Sequence, residues 1–208
     1  RIRNTPEQVG GRFAQTMVAG PVTFPVSPSN PKQWWECGIG GTGPYIPSRP
    51  LSSMAIEVQE GDIAAVYSSG DIVSRLELSS RQGDILRCTV QIEGKDMGAR
   101  VTPSTVSFTS GDDPYLHSEC TFTLDAVDNS QVTAFSVALD NNLVNDLFAN
   151  NRSRRDILAT KAVVNGSISI LFENTTFRDR FMNQLPSAIT ALYARGTKSF
   201  KVELVRIV

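Results

Sequence analysis

Residues 132–185 limit the possible fold more than any other stretch of the chain. They read VTAFSVALDNN, then a polar loop with three arginines, then NGSISILFEN and TTFRDRFMNQL. Phe135, Val137 and Leu139 alternate with Ala134, Ser136 and Ala138, and Ile168, Ile170 and Phe172 alternate with Ser167, Ser169 and Leu171. Alternation with a period of two marks strands that turn one face to a core. Phe177, Phe181, Met182 and Leu185 then fall on one side of a short helix, with Asn174, Thr175 or Thr176 as its cap. A chain built this way is mainly β, an antiparallel sandwich or barrel with one or two short helices.

The rest of the chain follows the same pattern. Residues 13–24 predict a strand interrupted at Gly20-Pro21. Asn30-Pro31 opens a helix over 31–37 that carries Trp34 and Trp35 and stops at Gly38 and Gly40. Two tryptophans on so short a helix imply packing on a sheet, an exposed aromatic platform being the alternative. Met54, Ile56 and Val58 alternate; turns follow at Glu60-Gly61-Asp62 and Ser69-Gly70-Asp71, with a returning strand over 63–67 between them. Residues 73–80 predict a strand with Leu76 and Leu78 inward and Arg75 and Glu77 outward. A tight turn at 81–84 joins it to a partner with Leu86, Cys88, Val90 and Ile92 inward and Arg87, Thr89, Gln91 and Glu93 outward. A short strand is expected over 105–108, and a closing hairpin over 189–193 and 200–204 across Gly196. Residues 121–124, a turn at 128–130, 132–139 and 164–172 repeat the scheme of 55–92 in pattern, with one difference: the tight turn is replaced by a loop over 141–161. Loops of that length within a compact domain are usually functional. The expected organisation is one domain over 1–208: an arm, helix and loop over 1–52, then a β core over 53–140 and 141–208.

Little chemistry is visible. No glycine-rich phosphate loop ends in Lys-Ser/Thr. Ser118 beside His117 lacks the acid and oxyanion hole that a nucleophilic site needs. His117, the one histidine, has only Cys120 near it and reads as a loop residue, not a zinc ligand. Three widely spaced cysteines predict no disulfide, with Cys88 as a small core residue. The expectation is a protein that is not an enzyme and binds no cofactor or metal. With 20 basic and 21 acidic residues, bulk charge does not drive nucleic-acid binding. No apolar run is long enough to span a membrane. No signal peptide is read at the start, although Arg1 in place of Met leaves a removed leader open. Arg152, Arg154 and Arg155 form the one charge cluster and read as a solvated loop or a contact arm.

Two segments, SRLELSSRQGDILRCTVQIEGKDM and VTAFSVALDNNL with VNGSISILFENTTFRDRFMNQ, resemble the tail tube proteins of long-tailed bacteriophages. The likeness runs from about residue 54 to 208, and WWECGIGG is similar to that family's short helical stretch more loosely. The resemblance implies a virion structural protein, made in the host bacterial cytoplasm, whose hexameric rings stack into a hollow tail tube. Its implied partners are further copies of itself, the tape measure protein, the tail terminator and distal tail or baseplate proteins. Double-stranded DNA passes through without specific contact, and no membrane is involved. Physical reasoning points the same way. One chain with this few strands closes only a narrow, filled barrel, and a wide channel needs strands pooled from several copies. Arg75, Glu77, Gln91 and Glu93 are then the candidate lumen residues, and Arg75 and Arg87 fit such a wall only with acids beside them. Ala134, Ser136 and Ala138 are expected against an adjoining strand or subunit. Asn141, Asn142, Asp146, Asn150, Arg152, Arg154 and Arg155 are the candidate contacts between subunits or rings. The rival readings are a monomeric adhesin-like or carbohydrate-binding module using Trp34, Trp35 and Tyr45, a decoration or baseplate subunit, and the tube of a gene transfer agent or injection device.

Overall fold

The structure is a computed structural model that describes residues 18–29, 32–41, 45–58, 66–98, 112–125, 127–128, 131–147, 154–171 and 186–207, with single positions at 102, 105, 149, 179, 182 and 183. Among the described residues it is mainly β, in open antiparallel sheets that do not close into a barrel. The principal sheet has five strands along its path: β1 (Val18–Pro25), β4 (Arg87–Gly94), β3 (Val66–Arg81), β8 (Val132–Asp140) and β11 (Val163–Ile170), in that spatial order. At its far end β3 also pairs with β2 (Met54–Val58) and β5 (Asp96–Met97). A second sheet runs β13 (Lys198–Ile207), β12 (Ser187–Arg195), β6 (Cys120–Leu124) and β7 (Val127–Asp128).

The two sheets share one core, as in a β-sandwich. Val73, Leu76, Leu78, Leu86, Cys88, Val90, Ile92, Phe135 and Val137 come from the first sheet and its turn; Phe122, Leu124, Ile189, Ala191 and Tyr193 come from the second. The predicted inward residues of β4, Leu86 through Ile92, are all buried, and so are Leu76 and Leu78. Burial raises the Cys88 thiol to about 12, and the three cysteines are free. Helix α1 (Gln33–Gly38) lies against this core. Trp35 is buried with its ring 5.3 Å from that of Phe200, and Trp34 packs on Phe24 at 5.6 Å. The tryptophans are therefore packing residues.

Several expectations change. The strand at 13–24 is not broken at Gly20-Pro21: β1 runs through in unbroken register with β4. An edge strand tolerates proline where the missing donor faces away from its neighbour. Ser69-Gly70-Asp71 is not a turn but a bulge within the 16-residue β3, where the pairing with β2 skips one residue and Gly70 takes φ +65°. The helix begins at Gln33, after the predicted start. The loop over 141–161 contains a hairpin, β9 (Leu143–Leu147) with β10 (Asp156–Ala159). The repeat holds for the pairs β3·β4 and β8·β11, which flank the central β3–β8 ladder, but not for their lead strands: β2 joins β3, whereas β6 joins β12. The turn at 60–62, most of the strand at 105–108, the tip of the turn at 128–130 and most of the helix at 177–185 lie outside the described residues. Of that helix, Asp179 and Met182 are helical, and Met182 is exposed.

His117 is buried, contrary to the loop reading. Its Nε2 lies 3.0 Å from the Val132 carbonyl, which can only accept, so Nε2 donates there, and Nδ1 shares a hydrogen bond with Ser80 Oγ at 2.9 Å. Ser80 in turn meets the Tyr193 hydroxyl at 2.6 Å. This chain of bonds ties β3, β8 and β12 together across the sandwich.

Candidate functional site

Alternation fixes which residues share the outer face of the principal sheet. Leu76 pairs with Val90 and Leu139 on the core side, so Arg75, Glu77 and Ser79 project the other way. Following the register across the strands gives three rows on that outer face. The first is Pro21, Gln91, Arg75, Asp140 and Val163; the second is Thr23, Thr89, Glu77, Ala138 and Asn165; the third is Pro25, Arg87, Ser79, Ser136 and Ser167. The face is mostly polar, interrupted by Pro21, Pro25, Ala138 and Val163, and carries both signs of charge. Arg75 Nη2 lies 3.0 Å from Glu77 Oε2, and Arg87 Nη2 lies 3.3 Å from Asp84 Oδ1. The Ile85 N–H and then Arg87 hold the Asp84 carboxyl below its ordinary value. Hydroxyls pair between strands, Thr23 with Thr89 at 3.1 Å and Ser136 with Ser167 at 2.9 Å. Each of the two arginines in these rows thus has an acid within ion-pair distance.

The residues expected to line a lumen do not all sit alike. Arg75, Glu77 and Gln91 share this face. Glu93 lies past the bulge at Ser74, where the β3–β4 register shifts, and only 17% of its side chain is exposed. Its carboxylate accepts from Arg154 Nη1 at 2.8 Å. Ala134, Ser136 and Ala138, expected against another strand or subunit, lie on the same face as Arg75 and Glu77.

The residues expected to make contacts between copies divide further. Asn141 is fully buried. Its Nδ2 donates to the Gly38 carbonyl at 2.8 Å and the Val73 carbonyl at 2.9 Å, and its Oδ1 accepts from Arg49 Nη2 at 2.9 Å. Every side-chain group of Asn141 is thus spent within the subunit, joining the end of α1 to β3. Asn142 takes φ +45°, donates from Nδ2 to the Lys161 carbonyl and accepts from Thr160 Oγ1, so it closes the base of the hairpin. Arg154 is buried, and its backbone N–H donates to the Lys95 carbonyl at 3.2 Å. Lys95 Nζ reaches Asp156 at 2.7 Å, and this contact first of all holds the Asp156 carboxyl below its ordinary value. Two ion pairs therefore fasten the hairpin to the end of the sheet. Asp146 and Arg155 are exposed on it, while Asn150 and Arg152 lie outside the described residues.

The hairpin has two unlike faces. Leu143, Ile157 and Ala159 turn inward onto Leu51 and Ile72. Val144 and Leu158, a cross-strand pair, turn outward and are 39% and 49% exposed. That exposed pair was not legible from the residues alone, because adjacent apolar residues (Leu143-Val144 and Ile157-Leu158) hide the period of two. Among the described residues no helix is long and apolar enough to cross a membrane, and no three His, Cys, Asp or Glu side chains group to hold a metal ion.

The family model described as phage tail tube protein matches residues 1–204. No curated protein matches the chain.

Proposed function

The chain belongs to the phage tail tube protein family, and on that premise we propose that it is the repeating subunit of hexameric rings that stack into the tail tube, with the polar outer face of the principal sheet turned to the channel. Family membership makes it a structural component of the virion tail that assembles with copies of itself into a tube. The observation that carries the finer reading is the charge compensation on that face, Arg75 with Glu77 and Arg87 with Asp84. Duplex DNA carries about one charge per 1.7 Å of axis, and a wall of uncompensated arginines would hold it by releasing counterions. A wall of hydroxyls, amides and internally neutralised ion pairs gives DNA nothing to bind during ejection. On this reading Arg75, Glu77 and Gln91 line the lumen, Glu93 anchors the hairpin, and the whole chain acts as one tube-forming unit. Val144, Leu158, Asp146 and Arg155 on the hairpin meet the next ring. The ends of the tube meet the terminator and the distal tail proteins, the tape measure protein fills the channel before DNA does, and assembly takes place in the host cytoplasm.

The binding-module alternative needs an exposed aromatic platform. Trp35 is buried, and Trp34 and Tyr45 are packed against the core, so the aromatic residues favour the tube. Electron cryomicroscopy of tubes grown from the purified full chain tests the proposal. A reconstruction with Glu77 and Gln91 on the inner wall is expected; one with that face on the outside of the tube would overturn it.

A further inference from the structure

The two margins of the principal sheet differ in which backbone groups they leave open. Among the described residues β1 pairs only with β4, and β11 only with β8. Val26 N–H donates to the Leu86 carbonyl, in line with the unbroken β1–β4 register. Even-numbered positions of β1 therefore point their N–H groups at β4, and Ala19, Pro21, Thr23 and Pro25 point their backbone groups away from the sheet. All four are exposed. Pro21 and Pro25 have no N–H, so this margin keeps its carbonyls but lacks a donor at two of its outward positions.

The β11 margin is the opposite case. Gln82 N–H donates to the Thr133 carbonyl and Asn141 N–H to the Ser74 carbonyl, so odd positions of β8 face β3 and even ones face β11. In the register with β11 this leaves the N–H and C=O of Val164, Gly166 and Ile168 pointing outward. Strand β11 itself carries no proline and no charged side chain, and Val163 and Val164 are 38% and 48% exposed. An edge left this bare recruits another strand.

Four antiparallel steps separate β1 from β11, so the two strands run in the same direction. Rotation about a tube axis keeps strand direction, and it brings β11 of one copy beside β1 of the next in parallel. In such a pair each outward residue donates to one neighbour and accepts from another. We propose that Pro21 and Pro25 are gatekeepers of self-assembly: the β1 margin accepts hydrogen bonds from β11 of a second copy but returns only part of them, which keeps two free copies weakly associated until a ring closes. The inference rests on the tube reading above and adds to it the seam and the residues that hold it back. Head-to-tail contacts of this kind close under rotation, whereas two β11 margins joined to each other would stop at a dimer.

The test uses the full chain with Pro21→Thr and Pro25→Thr together, followed by size-exclusion chromatography with light scattering and by negative-stain microscopy. Both threonines would sit on the exposed polar face, and their restored N–H groups would meet water in the free subunit, so the Tm is expected to stay close to that of the wild type. The concentration at which rings or tubes appear should fall roughly tenfold or more. Adding Val164→Pro, which removes an outward donor from β11 and no bond to β8, should reverse the gain. An unchanged assembly threshold in the double variant, with wild-type tubes still forming at high concentration, overturns the gatekeeper role and leaves the tube reading standing. An assembly threshold that stays at the lowered value of the double variant after Val164→Pro is added overturns the choice of β11 as the partner edge. If neither wild type nor variant associates at any concentration, the tube reading falls and this inference with it.

Discussion

Replacing Asn141 with Ala should cost the subunit about 3–4 kcal/mol of stability. Asn141 is fully buried and makes three side-chain hydrogen bonds, to the carbonyls of Gly38 and Val73 and from Arg49. Losing the part-buried bond from Arg49 costs about 1 kcal/mol, and each buried carbonyl stripped of its donor costs about 1–1.5 kcal/mol, the lower part of the usual range. Alanine loses all three bonds and leaves two carbonyls dry, while the backbone bond from Asn141 N–H to the Ser74 carbonyl survives. Asp should be worse than Ala, because it turns a carboxylate oxygen on the same two carbonyls. Arg49→Ala, which removes one part-buried bond, should cost about 1 kcal/mol. Urea titration followed by tryptophan fluorescence gives the order, with a common slope expected if the unfolded state is unchanged. An Ala variant within about 1 kcal/mol of wild type, or an Asp variant as stable as Ala, would refute the assignment of Asn141 as an internal clasp.

Other changes report on other parts of the molecule. Arg154→Met should cost about 3 kcal/mol by stranding the Glu93 carboxylate, and adding Glu93→Gln should recover part of it in a double-mutant cycle. Asp71 is fully buried, its Oδ1 has no partner, and burial raises its carboxyl above the ordinary 3.8. An acid raised on folding binds more protons in the native state, so its contribution falls as pH climbs from the unfolded to the folded value. The difference in stability between wild type and Asp71→Asn should slope that way across the acid range and flatten above it; a difference that grows in favour of wild type with rising pH would contradict the burial. The Cys88 thiol, buried and raised to about 12, should resist aromatic disulfide reagents until the protein unfolds; labelling at the rate of an exposed thiol would show that the core opens.

Much of the sheet was legible because burial on one side enforces a period of two. Leu86, Cys88, Val90 and Ile92 could be read as one face with no other information, and Gly83 and Gly196, both at positive φ, marked real turns. Gly70 gave the same signal and meant something else: a bulge and a turn both need a residue that accepts positive φ, and only pairing with β2 distinguishes them. The outer face was found at Arg75, Glu77 and Gln91, but its extent was not, since Ala138 and Ser136 join it only through the β3–β8 register. Asn141 and Arg154 read as surface residues because polar side chains in a long polar segment usually are. Their burial depends on Gly38 and Glu93, far away in sequence. The meaning of Pro21 was hidden for the same reason, because which way a strand residue points its N–H is decided by the neighbour it pairs with.

Strand β3 pairs with β2 and β5 at one end and lies between β4 and β8 at the other, without a break in the chain. Slow exchange of amide protons should therefore concentrate at Leu76 and Leu78, where ladders grip it from both sides. A pull along this strand is resisted by both ladders in shear, so when the molecule is loaded mechanically the outer hairpins should peel away before the centre yields.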